Sequence, residues 1–155
     1  MPLSDDSLRT NLEIVGDHLH LLVESSPEGM VICDDSNRII FANPQFCNMF
    51  GWERDEVTGK DIDEVVAGAE EVAAEASLVS STVFSTPHMI PQAVRVRKDG
   101  KRINVSILAG PVLDNGRTVG AYGIYRDISF KKKAEDDIRR RSEERRVGKE
   151  CRSRW

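Results

Sequence analysis

The residues of this chain that are best suited to chemistry are a few histidines, cysteines and acids, and their spacing does not assemble a reactive site. His18 and His20 lie two residues apart, so on a helix they point to different faces and do not favour joint metal binding. Asp34 and Asp35 resemble paired acids, but the sequence Asp-Asp-Ser-Asn is typical of a hairpin turn. We therefore predict no metal site.

The cysteines and the sequence motifs point away from catalysis. Cys33 and Cys47 show no CxxC spacing and have no basic neighbour in sequence, so we interpret both as small core residues without a disulfide framework. The chain also lacks a glycine-rich phosphate loop, a histidine-kinase phosphoacceptor box and a Gly-Gly-Asp-Glu-Phe motif. We expect this chain not to be an enzyme.

The end of the chain, Arg141 to Trp155, reads RSEERRVGKECRSRW. In one reading frame this run resembles, codon for codon, the translation of a common sequencing-adapter oligonucleotide. A native basic tail is the alternative, because Arg-Ser-Glu-Glu-Arg also occurs in natural linker helices. We treat residues 141–155 as a non-native tail, exclude them from the fold prediction, and expect the native protein to continue past Arg140.

Without this tail the chain is distinctly acidic. The tail holds six basic and three acidic residues, so its removal changes the formal net charge from −4 to −7. Nonspecific nucleic-acid binding depends on basic side chains that neutralise phosphates, and the run Lys131 to Lys133 is followed at once by acids at 135–137. We therefore expect a solvated linker surface there and no nucleic-acid partner.

The sequence contains no apolar run long enough to span a bilayer. Its first residues, MPLSDDS, lack the basic and then apolar character of a signal peptide. We expect no membrane partner and a cytoplasmic location.

The N-terminal segment, residues 1–24, is predicted to be an amphipathic flanking helix. Apolar residues recur at alternating steps of four and three, which is the signature of a narrow apolar stripe. This stripe either packs on its own domain or forms a parallel dimer helix in a homodimer, and both alternatives stay open. Its members are Leu8, Leu12, Val15, Leu19 and Leu22.

The middle of the chain predicts a hairpin followed by small helices. Apolar residues 29–33 and residues 38–42 flank a turn, and Asn43-Pro44 then resembles a helix N-cap with proline in the first turn. Gly51 ends that helix. Short helices are predicted at 55–57 and 62–66, and a longer one from near residue 69 to before Pro87.

The second half predicts a three-stranded antiparallel meander and an exit helix. Val94 and Val96 alternate with Arg95 and Arg97, and a turn at 98–101 leads to the alternating segment 102–107. A second turn at 114–116 leads to a strand over 118–128. This strand passes without a loop into a charged helical pattern, which suggests that motion of the sheet is exported through the helix.

These motifs together resemble a PAS domain with its C-terminal PAC portion. The opening hairpin and helix, MVICDDSNRIIFANPQFCNMFGW, the charged hairpin VRVRKDGKRINVSI, and the last strand GAYGIYRDIS occur in the family's order and spacing. Ser129 stands where the family's Asp-Ile-Thr motif has threonine. The resemblance implies an α+β PAS fold, with a five-stranded antiparallel sheet and helices on one face. It places the PAS/PAC domain at 19–129 and a signalling linker helix at 130–140.

The resemblance also bears on cofactors, which the sequence leaves unknown. In the photoreactive flavin class a cysteine occupies the position that Ile62 holds here, so a cysteinyl-flavin adduct is disfavoured. Haem-binding relatives take an axial histidine from the longer helix, which has none here, and we interpret His88 as an exposed loop residue. Non-covalent flavin or a small acid stays compatible with the sequence.

The family's signalling logic implies particular residues. Asp127 is predicted to be the coupling acid, with Ser129 or Lys131 as its local partner and Ile128 on the packing side of the linker. The resemblance implies a sensory module that relays a change of ligand or redox state to a C-terminal effector absent from this chain. A cavity would be lined by Ile32, Phe46, Phe50, Val79, Ile103, Val105 and Ala121.

Two alternatives stay open. The same lining residues can fill the core, which would make this a passive protein-interaction PAS domain. The chain can also be the input part of a histidine kinase or a diguanylate cyclase.

Overall fold

The computed structural model describes residues 5–68 and 70–152. Six helices and five strands follow one another along these residues. They are α1 (Asp5–Glu24), β1 (Gly29–Asp34), β2 (Ile39–Ala42), α2 (Pro44–Phe50), α3 (Arg54–Val57), α4 (Ile62–Val66), α5 (Glu70–Val83), β3 (His88–Val96), β4 (Arg102–Asp114), β5 (Arg117–Asp127) and α6 (Ser129–Arg152).

The strands form one antiparallel sheet in the order β2-β1-β5-β4-β3. The first strand pairs with the last, so Val31 lies opposite Gly123. This arrangement makes β5 the central strand, and β5 leads directly into α6. The predicted five-stranded antiparallel sheet, with its N-terminal hairpin and C-terminal meander, is confirmed.

The Asn-Pro motif starts α2 as predicted. Asn43 has an extended backbone, and its side-chain Oδ1 accepts a hydrogen bond from the backbone N–H of Phe46 at 2.9 Å. Pro44 occupies the first turn, where its missing N–H has no helical partner to lose. Gly51 ends the helix with a φ of 75°, a left-handed conformation that glycine adopts without steric cost.

The core lies between one face of the sheet and the helices α2 to α5. Three aromatic rings meet at its centre, with the Phe46 and Phe50 centroids 4.8 Å apart and that of Tyr125 5.5 Å and 5.4 Å from them. Offset and edge-on ring packing of this kind adds to the stabilisation from burial. The buried aliphatic residues around the rings include Val31, Ile39, Val57, Val65, Val66, Val105 and Ile107.

The structure corrects the predicted position of His88. It is the first residue of β3 and half-buried, not a loop residue, and it pairs with Ala109. Pro91 and Gln92 fall where the register of β3 shifts, between Ile90 and Ala93. A proline inside a segment argues against a strand, and this irregularity is what accommodates it.

The two terminal helices extend the domain at its ends. No helix among the described residues is long and apolar enough to cross a membrane. Helix α6 continues beyond Arg140 through the described part of the predicted non-native tail. Because Arg, Lys and Glu form helices readily, a helix there is expected of either a native or an adapter-derived sequence.

Candidate signal-coupling site and core

The exit junction is built where the central strand β5 becomes α6. Asp127 is exposed at the end of β5, and its Oδ1 accepts a hydrogen bond from the backbone N–H of Ser129 at 2.8 Å. The predicted pair of Asp127 and Ser129 is therefore in contact, through the backbone of Ser129. A carboxylate that accepts from the first N–H groups of a helix stabilises its N-terminus.

Asn104 on β4 joins this junction to the sheet by two hydrogen bonds. Its backbone carbonyl accepts from the N–H of Ile128 at 2.9 Å, and its Oδ1 accepts from the Nζ of Lys132 at 3.1 Å. The sequence pattern marked Asn104 only as an outward residue of a hairpin. Its role depends on the pairing of β4 with the following strand, which brings it beside the helix start.

Lys132 makes the side-chain contact with Asn104. The neighbouring Lys131 was predicted as an alternative local partner of Asp127. Lys131 is exposed and lines a shallow groove of about 170 Å³ with Pro91, Gln92 and Glu135. Ile128 and Lys132 line the same groove. The groove therefore lies between the irregular part of β3 and the first turns of α6.

One of the seven residues predicted to line a cavity lies on the outer face of the sheet. Ile32 faces away from the core, because it alternates along β1 with the buried Val31 and Cys33. The prediction for Ile32 is therefore wrong, and its neighbour Val31 is the residue that lies in the core. The period of two along a strand fixes this alternation, but the apolar run 29–33 did not show which face was inside.

The other six predicted lining residues lie at the core. Five of them are buried, and Val79 on α5 is partly buried against the same cluster. The five are Phe46, Phe50, Ile103, Val105 and Ala121.

Arg95 is buried among these apolar residues with a side chain that is only 1% exposed. It pairs with Ile103 in the β3–β4 register, so it shares the inner face, opposite to the alternation read from the sequence. Its Nη1 donates to the carbonyl of Val94 at 2.7 Å and approaches Glu75 Oε1 at 3.5 Å. Its Nε has no hydrogen-bond partner among the described residues.

Among the described side chains, two polar contacts attach α5 to the rest of the core. One is the contact of Glu75 with Arg95, and in the other Ser80 Oγ donates to Asp63 Oδ1 at 2.6 Å. Burial raises the pKa of Asp63 above its ordinary value, against the opposing effect of the Ser80 hydrogen bond. Both contacts cross from α5 to residues that flank the core.

The thiols lie in the core without features that would activate them. Burial, assisted by the charge of Asp34, raises the pKa of Cys33 to about 12, and burial also raises that of Cys47. Both thiols are therefore protonated at neutral pH.

Ile62, at the position of the reactive cysteine in photoreactive flavin domains, is buried at the start of α4.

The two helical histidines lie in separate environments. The Nδ1 of His18 is 2.7 Å from the carbonyl of Ile14, and the ring of His20 stands edge-on to Phe41 with centroids 6.4 Å apart. Among the described residues, no cluster of three histidines, cysteines or acids is arranged to hold a metal ion.

The apolar stripe of α1 is solvent-exposed in the single chain. Its predicted members are 45% to 69% exposed, so the stripe does not pack on its own domain. Ile14 and Leu21 are also exposed and widen the apolar surface beyond the predicted stripe. The C-terminal end of α1 is fixed, because the Val23 carbonyl accepts from Asn43 Nδ2 and Glu24 pairs with Arg54.

This fold and its exit junction define a class: a small α+β domain whose central strand continues into a terminal helix. The chain belongs to the PAS family, because the family model described as the PAS fold matches residues 17–128. No curated protein matches the chain.

Several solved structures share this fold. The PAS domain of an HTR-like protein from Haloarcula marismortui is 24% identical, with 77% of this chain and 97% of that one covered and a TM-score of 0.60. A domain of a sensory box sensor histidine kinase/response regulator from Geobacter sulfurreducens is 25% identical, with 75% and 96% covered and a TM-score of 0.60. An RNA-binding light-oxygen-voltage receptor is 16% identical, with 84% of this chain and 38% of that one covered and a TM-score of 0.70.

Proposed function

We propose that this chain is a sensory module that relays the state of its core through α6 to a C-terminal effector. The single observation that carries the proposal is the position of Asn104. It follows Ile103, which lies opposite the buried Arg95, and it holds the first turn of α6 through Ile128 and Lys132. A change in the core therefore has a short covalent and hydrogen-bonded route to the exit helix.

The relay is a shift between two arrangements of the exit helix. A ligand shifts such an equilibrium only by its different affinity for the two states. The exposed capping contact of Asp127 and the part-buried contact of Lys132 with Asn104 are single hydrogen bonds, each with a net contribution of about 0.5 to 1.5 kcal/mol. Weak contacts of this kind suit a switch, because a modest change in the core suffices to alter them.

We also propose a homodimer formed through the flanking helices. The support is the exposed apolar surface of α1, whose stripe from Leu8 to Leu22 has the spacing of a two-stranded coiled coil. Burial of that stripe against a second copy removes apolar area from water. The dimer would place two exit helices in one signalling unit.

The second candidate function is the input domain of a sensor histidine kinase. It is favoured by the 25% identity with the Geobacter domain, which its description assigns to such a protein. The diguanylate cyclase context stays a prediction. In either context this chain supplies the input, and catalysis belongs to the effector.

A chimera tests the relay. Residues 5–140 would replace the input domain of a reporter histidine kinase, and autophosphorylation would be measured in four variants. We expect Arg95→Met to change the kinase activity and Asn104→Ala to reduce that change in the double variant, because alanine removes the Oδ1 contact with Lys132 and keeps the backbone contact with Ile128. Asn48→Ala, at an exposed position of α2, is the matched control.

The chimera also separates the relay from the passive alternative. A passive interaction domain with a filled core predicts the same kinase activity for the Arg95 variant and the unaltered chimera. An effect of Arg95→Met that persists in full with Asn104→Ala would contradict the part of the route that runs through the contact of Asn104 Oδ1 with Lys132.

A further inference from the structure

We propose that Arg95 anchors a binding site for a small monocarboxylate with an aliphatic body, on the inner face of β3 beneath α5. This inference rests on the proposed sensory function and names the class of ligand that the core would take. Its starting point is a buried cation whose hydrogen-bonding capacity is incompletely used.

Among the described residues, the carboxylate that reaches the Arg95 guanidinium is that of Glu75, at 3.5 Å. An arginine guanidinium is a planar cation with five N–H donors. The structure shows Nη1 contacts with Val94 and Glu75, while Nε is buried without a partner among the described residues. A buried charge is costly unless it is paired and hydrogen-bonded, so an additional anion at this group would stabilise the folded chain.

Glu75 is a weak internal partner of Arg95 and lies where a ligand would enter from solvent. Its carboxylate is 3.5 Å from Nη1, longer than the usual charge-assisted hydrogen bond, and its side chain is 52% exposed, against 1% for Arg95. The contact therefore crosses the boundary between solvent and core. A ligand carboxylate that replaces Glu75 and reaches Nε together with a terminal nitrogen would form the stronger bidentate pair.

The residues around Arg95 determine which chemical groups the rest of the ligand can carry. Buried residues on the facing parts of α5 and β3 are small and apolar: Val72, Ala76 and Ala93. Asp63 lies near enough for its carboxyl group to be affected by the charge of Arg95. A second anionic group on the ligand would be repelled by Asp63, so a monoanion with an aliphatic body fits better than a dicarboxylate.

Binding at this site would also act on α5. Displacement of Glu75 removes a polar contact that attaches α5 to the core and leaves the Ser80–Asp63 contact. The ligand would thus change how α5 is held while forming its new bond to β3, which is paired with β4 beside the exit junction.

Butyrate titration of the full chain tests the site, with binding followed by two-dimensional amide NMR. Butyramide is the matched control, because it has the same shape without the charge. We expect saturable binding of butyrate and weaker binding of butyramide. Arg95→Met should lower butyrate affinity roughly 10- to 100-fold, the range for loss of a charged hydrogen bond.

A second variant keeps the test independent of any folding defect in the first. Glu75→Gln, at a half-exposed position, removes the internal competitor and should raise butyrate affinity up to about fivefold. Equal butyrate affinity in the unaltered chain and Arg95→Met, or no saturable binding to either the unaltered chain or Glu75→Gln, would overturn the proposal. Because the readout is binding alone, either result leaves the relay through Asn104 to be judged by the chimera.

Discussion

At the scale of single residues, Asn43 connects three elements through one fully buried side chain. Its Oδ1 accepts from the N–H groups of Met30 and Phe46, and its Nδ2 donates to the carbonyls of Val23 and Glu28. These contacts join the end of α1, β1 and the start of α2. The amide therefore uses both its donor and its acceptor capacity.

Replacement of Asn43 by alanine should be strongly destabilising. It removes the cap of α2 and leaves buried backbone groups without partners, so we expect a loss of about 3 kcal/mol in the free energy of unfolding. Chemical denaturation measures this quantity. Asn48→Ala, at an exposed site within α2, should change it by less than about 0.5 kcal/mol, and equal effects of the two substitutions would contradict this role.

Asp63 should give the domain a characteristic pH dependence. Because its pKa is raised in the folded chain, the folded state binds a proton more readily than the unfolded state. The stabilisation from this proton is present below the ordinary carboxyl pKa and is lost as pH rises through the raised value. Asp63→Asn, which still accepts from Ser80, should flatten this part of the stability curve and raise stability at pH 7.

The control for Asp63 is its exposed neighbour Glu64. Urea denaturation between pH 3 and 8 compares Glu64→Gln with Asp63→Asn. The prediction is wrong if the Glu64 substitution flattens the curve as much as the Asp63 substitution does.

At the scale of elements, the capping contact of α6 separates two ways in which Asp127 can act. Asparagine retains the oxygen that accepts from the Ser129 N–H, whereas alanine removes it. If coupling depends on the hydrogen bond, Asp127→Asn should preserve the response of the kinase chimera to Arg95→Met, and Asp127→Ala should reduce it. The geometry favours this result, since the contact is made to a backbone N–H.

The alanine variant should also destabilise the start of α6 by about 1 kcal/mol, the usual cost of losing a cap. Helix content from circular dichroism checks this effect independently of signalling. Loss of the chimera's response in both variants would instead indicate that the negative charge of Asp127 carries the coupling.

The exposed stripe of α1 provides a test of the proposed homodimer. Leu12→Lys places a charge in the exposed apolar stripe and should weaken the proposed dimer, as measured by sedimentation equilibrium. Glu13→Lys introduces the same side chain one position away, outside the predicted stripe, and should leave the association constant nearly unchanged. A monomeric unaltered chain, or equal loss in both variants, would contradict a dimer through this stripe.

Much of this element structure could be predicted from local signals. The Asn-Pro start and glycine end of α2 are local chemistry, and the limits of α4 at 62–66 were predicted without error. The start of β3 was missed because Pro91 interrupts it. The inward side of Arg95 was also missed, because alternation gives two faces but does not say which is buried when a charged residue lies inside.

At the scale of the whole molecule, the fold followed from the order of motifs, whereas the contacts of the site followed from topology. Asn104 and Lys132 are 28 residues apart, and only the pairing of β4 with the central strand β5 brings them together. No local spacing rule links two such residues. The sequence could therefore locate the junction at Asp127 but not the residues of β4 that hold it.

The same topology carries the central claim, that the state of the core reaches the exit helix. In the sheet, Arg95 lies opposite Ile103, and the next residue, Asn104, holds the N–H of Ile128. The route is short, uses the backbone, and ends at the first turn of α6. This route can be tested with the chain and its variants, without identifying the ligand or the effector.

Hydrogen–deuterium exchange at the amides of Ile128 and Lys132 tests this claim most directly. Exchange would be measured in the unaltered chain, in Arg95→Met and in Lys101→Met, an exposed control on the β3–β4 turn. We predict that the core substitution changes the exchange rates of both junction amides and that the control leaves them unchanged. Unchanged rates at both amides in Arg95→Met would contradict a relay from core to exit helix.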